Sequence, residues 1–303
     1  MMSWMGTRAI AAIALLAASP VPVAQADPAR TYTKVTDWAR LPPGVAWAEM
    51  TGVAIDAKGN IYTLQRTPSK VMVFSPNGQL LRTWGEGAFA KAHAIRIDRM
   101  GDVWITDREL HQAMKFTPEG KPLMALGTRG VAGDNDSTTS LNGPADLAFA
   151  PNGDIFVADG ESTNTRVVRY DRKGHFLAKW GTKGSGDGQL MTPHSIVMDR
   201  RGRLYVANRG NKRVEIFDQT GRFLGQITNA ATPYGLAIAP NGTLYVADGT
   251  AGSEGMTVLD TRTGAVLAHF TGITGAHMVA VDAKNAIYVA EVRGRAVDKF
   301  VPK

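Results

Sequence analysis

The sequence contains no cysteine. That absence excludes a disulfide scaffold, an iron–sulfur centre, a cysteine zinc finger and a lipidated N-terminal cysteine. Charge is sparse as well: charged residues make up 20% of the chain, with 34 Lys and Arg against 27 Asp and Glu. The basic residues are scattered rather than clustered, so the formal net charge of +7 describes no nucleic-acid patch and no such partner is expected. Beyond residue 26, no segment approaches the roughly 20 apolar residues a transmembrane helix needs. What remains is ordinary globular composition, 44% hydrophobic, which excludes a disordered or collagen-like chain.

One short apolar run stands apart. Arg8 precedes Ala9–Ala18, and the stretch closes on Ala24, Gln25 and Ala26 before Asp27. This reads as a signal peptide over residues 1–26, leaving a mature chain of 27–303 expected to be secreted or periplasmic, with no integral membrane segment.

The mature chain is repetitive. From Trp47 onward a short apolar strand, a turn and a β-branched strand recur six times, with the turn residue at Gly59, Gly101, Gly153, Gly202, Gly242 and Asn285. Glycine suits a hairpin position with positive φ, and Asn is its usual substitute. The spacings of 42, 52, 49, 40 and 43 residues match the period of a four-stranded propeller blade. The fold class expected is therefore all-β, a six-bladed β-propeller forming one domain. The last repeat holds three strands, Ala276–Asp282, Ala286–Glu291 and Ala296–Val301, and the extended segment Tyr32–Trp38 is positioned to supply the missing outer strand. Pairing the two chain ends removes an exposed edge. With Val157-Ala158-Asp159 and Val246-Ala247-Asp248 ending second strands, the pattern resembles NHL-repeat β-propellers.

Departures from the repeat locate a site. Eight residues before each turn residue, at the start of the innermost strand, lie Thr51, His93, Ala145, His194, Tyr234 and His277. Three of the chain's six histidines thus share one register position in alternate blades, about 120° apart in a six-blade ring. Three imidazoles at one level of a channel make a metal site with an open fourth position, and imidazole without cysteine suits zinc first. Channel-lining histidines held by neighbouring carbonyls are the alternative. Seven residues after the turn residue lie Arg66, Arg108, Gly160, Arg209, Gly249 and Val292, on the same rim as the histidines. An arginine beside a metal calls for an anion between them, and a carboxylate substrate accepts its guanidinium fork. A salt bridge to Asp107, Asp159 or a loop carboxylate is the competing reading for Arg66 and Arg209, and the preferred one for Arg108. Two long connections, Gly127–Gly143 and Gly181–Thr192, reach the same face as walls or as idle insertions. Asp134 and Asp136 lack the later Glu of a calcium loop.

These residues resemble a narrower family, the peptidyl-α-hydroxyglycine α-amidating lyases. Pro193-His194-Ser195-Ile196 followed by Tyr205-Val206-Ala207-Asn208-Arg209, Ala92-His93-Ala94-Ile95 with Trp104-Ile105-Thr106-Asp107, Ala276-His277, and Gln65-Arg66 carry the resemblance, which runs from about Asn60 to Lys303. It implies zinc held by His93, His194 and His277, with Arg66 and Arg209 on the carboxylate of an N-acyl-α-hydroxyglycine that is cleaved to an amide and glyoxylate. His111 lies in the shared stretch and reads as structural. Two departures stand out. Glu161 follows Asp159-Gly160 where the family has a tyrosine, and it is a substitute base, a fourth metal ligand or a solvated loop carboxylate; Tyr234 offers another phenol. Met278 follows the third histidine where the family has an Asp linked to structural calcium, which weakens the case for calcium. A lactonase-type metal hydrolase and a non-catalytic propeller binding protein or glycan are the competing functions.

Overall fold

The computed structural model describes residues 31–303; the expected signal peptide lies outside the described residues. Among the described residues, twenty-four strands form six four-stranded sheets. The innermost strands are Met50–Ile55, Ala92–Ile97, Pro144–Phe149, Pro193–Met198, Gly235–Ile238 and Ala276–Val281, one for each of blades one to six. The sixth blade is completed by Tyr32–Val35, paired antiparallel with Ala296–Pro302 from Tyr32↔Pro302 to Val35↔Lys299. The sequence expectation of six blades joined through the chain ends is what the chain adopts, with the closing strand shorter than Tyr32–Trp38.

The turn chemistry explains the hairpins. Gly59, Gly101, Gly153, Gly202 and Gly242 have φ between +77° and +92°, and Asn285 has φ +62°. In blade one, Asp56 Oδ1 accepts from Lys58 N at 2.9 Å and Asn60 N at 2.8 Å, so the tight turn is held by its own carboxylate.

No blade carries a core of its own. Tyr62, Leu64 and Val73 of blade one pack against Ile95, Ile105 and Phe116 of blade two, and five further clusters fill the remaining junctions around the ring. Each fully buried aliphatic or aromatic side chain of this kind contributes about 1.5–3 kcal/mol. Stacking is therefore what stabilises each sheet, and the ring must close. The closing junction has an added clasp: the indole of Trp38 donates to Val297 O at 2.6 Å and packs edge-on to Tyr288 and Phe74.

In blades two, three, four and six the residue ending the second strand ties the connections on the rim that the histidines share. Asp107 Oδ2 accepts from Ala90 N and Lys91 N at 2.8 Å, Asp159 Oδ1 from Asn142 N at 2.7 Å, Asn208 Oδ1 from Met191 N at 2.8 Å and Glu291 Oε2 from Thr274 N at 2.9 Å. These buried acceptors satisfy loop donors that would otherwise be orphaned, and so fix the loops bordering the site.

Candidate metal centre

The histidine register position is an interruption in strand pairing. The ladder skips between Ala92 and Ala94, between Pro193 and Ser195, and between Ala276 and Val279; the same irregularity occurs between Met50 and Gly52 and between Pro144 and Asp146. A β-bulge re-aims the side chain it carries. Here it directs three imidazoles at the channel axis. His93, His194 and His277 are all buried, with ring centroids separated by 4.8, 4.7 and 4.9 Å, a nearly equilateral triangle.

Each ring is oriented by the blade that follows it. His93 Nδ1 lies 2.7 Å from Ala145 O, His194 Nδ1 2.7 Å from Tyr234 O, and His277 Nδ1 2.6 Å from Thr51 O. Ala145, Tyr234 and Thr51 occupy the same register position in the blades without histidine. A carbonyl only accepts, so every Nδ1 carries the proton and every Nε2 presents a lone pair to the axis. Thr106 Oγ1 also donates to Ala145 O, at 2.9 Å, which fixes the carbonyl that orients His93. Burial, followed by the neighbouring cations and imidazoles, pushes the pKa of His194 and of His277 well below the ordinary value, which favours the neutral, ligating form.

Glu161 faces this trio. Its side chain is only 7% exposed, which removes the solvated-loop reading. Oε2 lies 3.5 Å from His93 Nε2 and Oε1 lies 3.5 Å from His194 Nε2. Arg108 Nη1 is 3.2 Å from Oε2, and Arg209 Nη2 is 2.9 Å from Oε1. Burial alone would raise the carboxyl pKa, and the guanidinium groups of Arg209 and Arg108 beside it act in the opposite sense and favour the ionised form. Arg209 also lies over the Tyr234 ring, 4.8 Å from its centroid.

The backbone beneath Glu161 is fixed by close approaches. A Cβ on Gly160 would meet Pro193 Cδ at 2.3 Å, and one on Gly143 would meet Ser162 N at 2.8 Å. Glu161 N donates to Gly143 O at 2.8 Å, and Arg108 Nη2 donates to Glu161 O at 3.2 Å. The 127–143 connection is not loose either: buried Arg166, paired with Asp159 at 2.9 Å, donates to Asn135 O, Ser137 O and Ser140 O at 3.0, 2.5 and 2.8 Å. That loop supports the 161–166 segment.

Arg66 differs from the other two rim arginines. Its Nε donates to Ala92 O at 3.3 Å, and among the described residues no carboxylate stands within ion-pair distance of it. Burial lowers its pKa, with Glu49 and Glu161 acting in the opposite sense. His111 accepts from Gly143 N at 3.2 Å through Nδ1, a contact away from the axis.

One to three residues further along the innermost strands lies a polar layer in which Arg96 crosses the channel. It pairs with Asp146 at 2.8 and 2.5 Å and donates to Ser195 Oγ at 3.3 Å and Leu236 O at 3.1 Å, giving the site a polar floor. Sequence reasoning missed this network; it did offer carbonyls holding the histidines, as the reading without a metal, and a loop-carboxylate salt bridge for Arg108, which forms with Glu161 at the centre.

The arrangement fits a metal. His93 Nε2 and His194 Nε2 are buried acceptors with no hydrogen-bond partner, and only a cation satisfies several lone pairs at once. His93, His194 and His277 offer ligand atoms all within 4.8 Å of one another. All-imidazole donors suit zinc, and copper, nickel or iron also accept them.

Comparison with known proteins agrees with the fold. The NHL repeat pattern matches residues 141–170 and 190–217. Peptidyl-glycine alpha-amidating monooxygenase B of Xenopus laevis is 30% identical over 314 residues, covering 88% of this chain and 35% of that one. A gluconolactonase from Xanthomonas campestris superposes with a TM-score of 0.66 at 16% identity, covering 85% of this chain and 87% of that one, a likeness of fold alone. NHL repeat-containing protein 3 of Homo sapiens is 31% identical over 277 residues, covering 82% of this chain and 78% of that one. With that extent of identity on a six-bladed ring, the chain belongs to the NHL repeat family.

Proposed function

We propose that the mature chain is an exported zinc-dependent lyase of the amidating-lyase type, acting on a small N-acyl-α-hydroxyglycine-like carboxylate. The observation that carries this reading is the convergence of His93, His194 and His277, each locked by a backbone carbonyl into the tautomer that presents Nε2 to the axis. Those three residues would hold the zinc, which supplies Lewis acidity to a hydroxyl or carbonyl oxygen. The chain's distant relationship to the amidating monooxygenase supports the reaction class, and the leader at residues 1–26 supports export.

The chain's own groups divide the remaining work. Arg66, free of any carboxylate partner among the described residues, takes the substrate carboxylate in a bidentate fork. Arg209 and Arg108 hold Glu161, and Arg209 borders the substrate as well. Glu161, kept ionised, is the base: it accepts the proton of the α-hydroxyl as that C–O bond becomes the carbonyl of glyoxylate, the C–N bond breaks, and the proton passes to the departing amide nitrogen. A lactone hydrolysis would use the same carboxylate on water, but it leaves Arg66 without an anion to bind.

The test is glyoxylate release from an N-acyl-α-hydroxyglycine by the zinc-loaded mature protein. Arg209→Ala is expected to retain its metal while turnover falls by about two orders of magnitude. Undiminished turnover in that variant, or lactone hydrolysis without glyoxylate release by the parent protein, would overturn the assignment.

A further inference from the structure

Glu161 stands in a position that its role as a base does not explain. Nε2 of His93 and of His194 are lone-pair acceptors, because their Nδ1 protons are committed to Ala145 O and Tyr234 O. An ionised carboxylate is also an acceptor only. Its two oxygens nevertheless face those two nitrogens, each at 3.5 Å, one oxygen per imidazole. Acceptors buried against acceptors are costly unless a cation lies between them. With metal–ligand bonds of about 2.0–2.1 Å, two ligand atoms of a tetrahedral zinc lie about 3.3 Å apart, close to the separation seen here.

The surroundings are those of a ligand rather than of a mobile base. Gly143 and Gly160 bring the backbone into contacts that no side chain permits, Glu161 N is bonded to Gly143 O, and Arg108 grips both the carbonyl and the carboxylate of the residue. Arg108 and Arg209 take the place of the outer partners that orient ligating carboxylates.

We infer that Glu161 is the resting fourth ligand of the metal held by His93, His194 and His277, and that this makes the site selective for α-hydroxycarboxylates. The inference rests on the metal-binding reading above. A simple carboxylate offers one donor group in exchange for a pinned ligand and does not displace it. An α-hydroxy acid offers two: a carboxylate that Arg66 would engage and a hydroxyl that would compete with Glu161 for the metal, and a Glu161 carboxylate so displaced would lie beside the hydroxyl proton it removes.

Cobalt(II) in place of zinc gives visible bands that report the coordination sphere without any turnover. In the cobalt-loaded wild-type protein, formate is expected to leave the bands unchanged at tens of millimolar whereas glycolate shifts them. In Glu161→Ala, formate shifts them with an affinity at least ~10-fold higher than in the wild type. Glu161→Gln, of the same shape, is expected to respond as Glu161→Ala does and stands in for it if the smaller side chain compromises folding. Equal formate responses in wild type and variants, or identical spectra for all three, would overturn the fourth-ligand assignment while leaving the metal site intact. Failure of the wild-type protein to take up cobalt or zinc would instead remove the metal reading itself, and this inference with it.

Discussion

Blades two, four and six contribute side chains to the centre of the ring, while blades one, three and five contribute backbone at the same register position. His93, His194 and His277 reach the axis, and Ala145, Tyr234 and Thr51 lend the carbonyls that orient them. A side-chain role constrains residue identity, whereas a backbone role constrains only conformation. That explains why the first set is chemically uniform and the second mixes alanine, tyrosine and threonine. Substitution at the two sets should therefore have very different consequences.

The largest effect is expected from the first set. His194→Ala should lower zinc affinity by more than about 100-fold, because it removes a ligand rather than an outer-shell partner, for which losses of 10–100-fold are typical. Metal content after dialysis measures this. A variant that keeps one full equivalent of zinc would show that the trio is not the metal centre.

Next is the contact joining Glu161 to His194 through the backbone. In Gly160→Ala the new Cβ would lie 2.3 Å from Pro193 Cδ, directly before His194. Relief requires moving Pro193 or Glu161, and over-packing of this kind costs about 1–3 kcal/mol. Urea unfolding should register that loss. Wild-type stability in this variant would mean that the junction between blades three and four is looser than the contact implies.

The ring of residues ending the second strands gives a smaller, pH-dependent contrast. Blades one and four have neutral amides there, Gln65 and Asn208, while blade six has Glu291. Burial, then hydrogen bonding and repulsion from Asp298, push the Glu291 carboxyl up to about 8, against opposing contributions from Thr274 N and Lys34. The folded state thus binds this proton more tightly than the unfolded chain. Stability is greatest below the ordinary carboxylate pKa and falls as pH rises toward 8, by at most about 1.4 kcal/mol per pH unit. Glu291→Gln should flatten that dependence in unfolding measurements between pH 5 and 9. An unchanged slope would place the titrating group elsewhere.

The sequence made the blades legible because turn glycines recur at fixed offsets, and alignment on those turns alone put three histidines in one column. The same column could not disclose why they converge. The bulges that turn His93 and His194 inward leave no residue signature, and the carbonyls of Ala145, Tyr234 and Thr51 are backbone groups that any residue supplies. Arg66, Arg108 and Arg209 occupied one register position, but their division into two that hold Glu161 and one that does not depends on where the 161–166 loop folds. That loop departs from the repeat, so register reasoning stopped at Gly160. Arg166, which anchors the 127–143 connection from within, was equally out of reach, since nothing in its local sequence marks it as buried.

The smallest effect is expected where the contrast between side chain and backbone is drawn within one contact. His194 is oriented by Tyr234 O, so Tyr234→Phe keeps the carbonyl, keeps a ring beneath Arg209 and removes only the phenol. If the odd blades serve through their backbone, zinc affinity should stay within about 2-fold and stability within about 0.5 kcal/mol of the parent protein, as for a substitution that breaks no buried contact. Zinc competition and urea unfolding check both. Turnover separates the two acid–base candidates in the same variant. Glyoxylate release close to that of the wild type leaves Glu161 as the base, whereas a fall of more than about 10-fold with metal retained would assign proton transfer to the phenol, since general acid–base groups are worth at least that much. Tyr234 would then serve through both its backbone and its side chain, and the division of labour between alternate blades would hold only for Thr51 and Ala145.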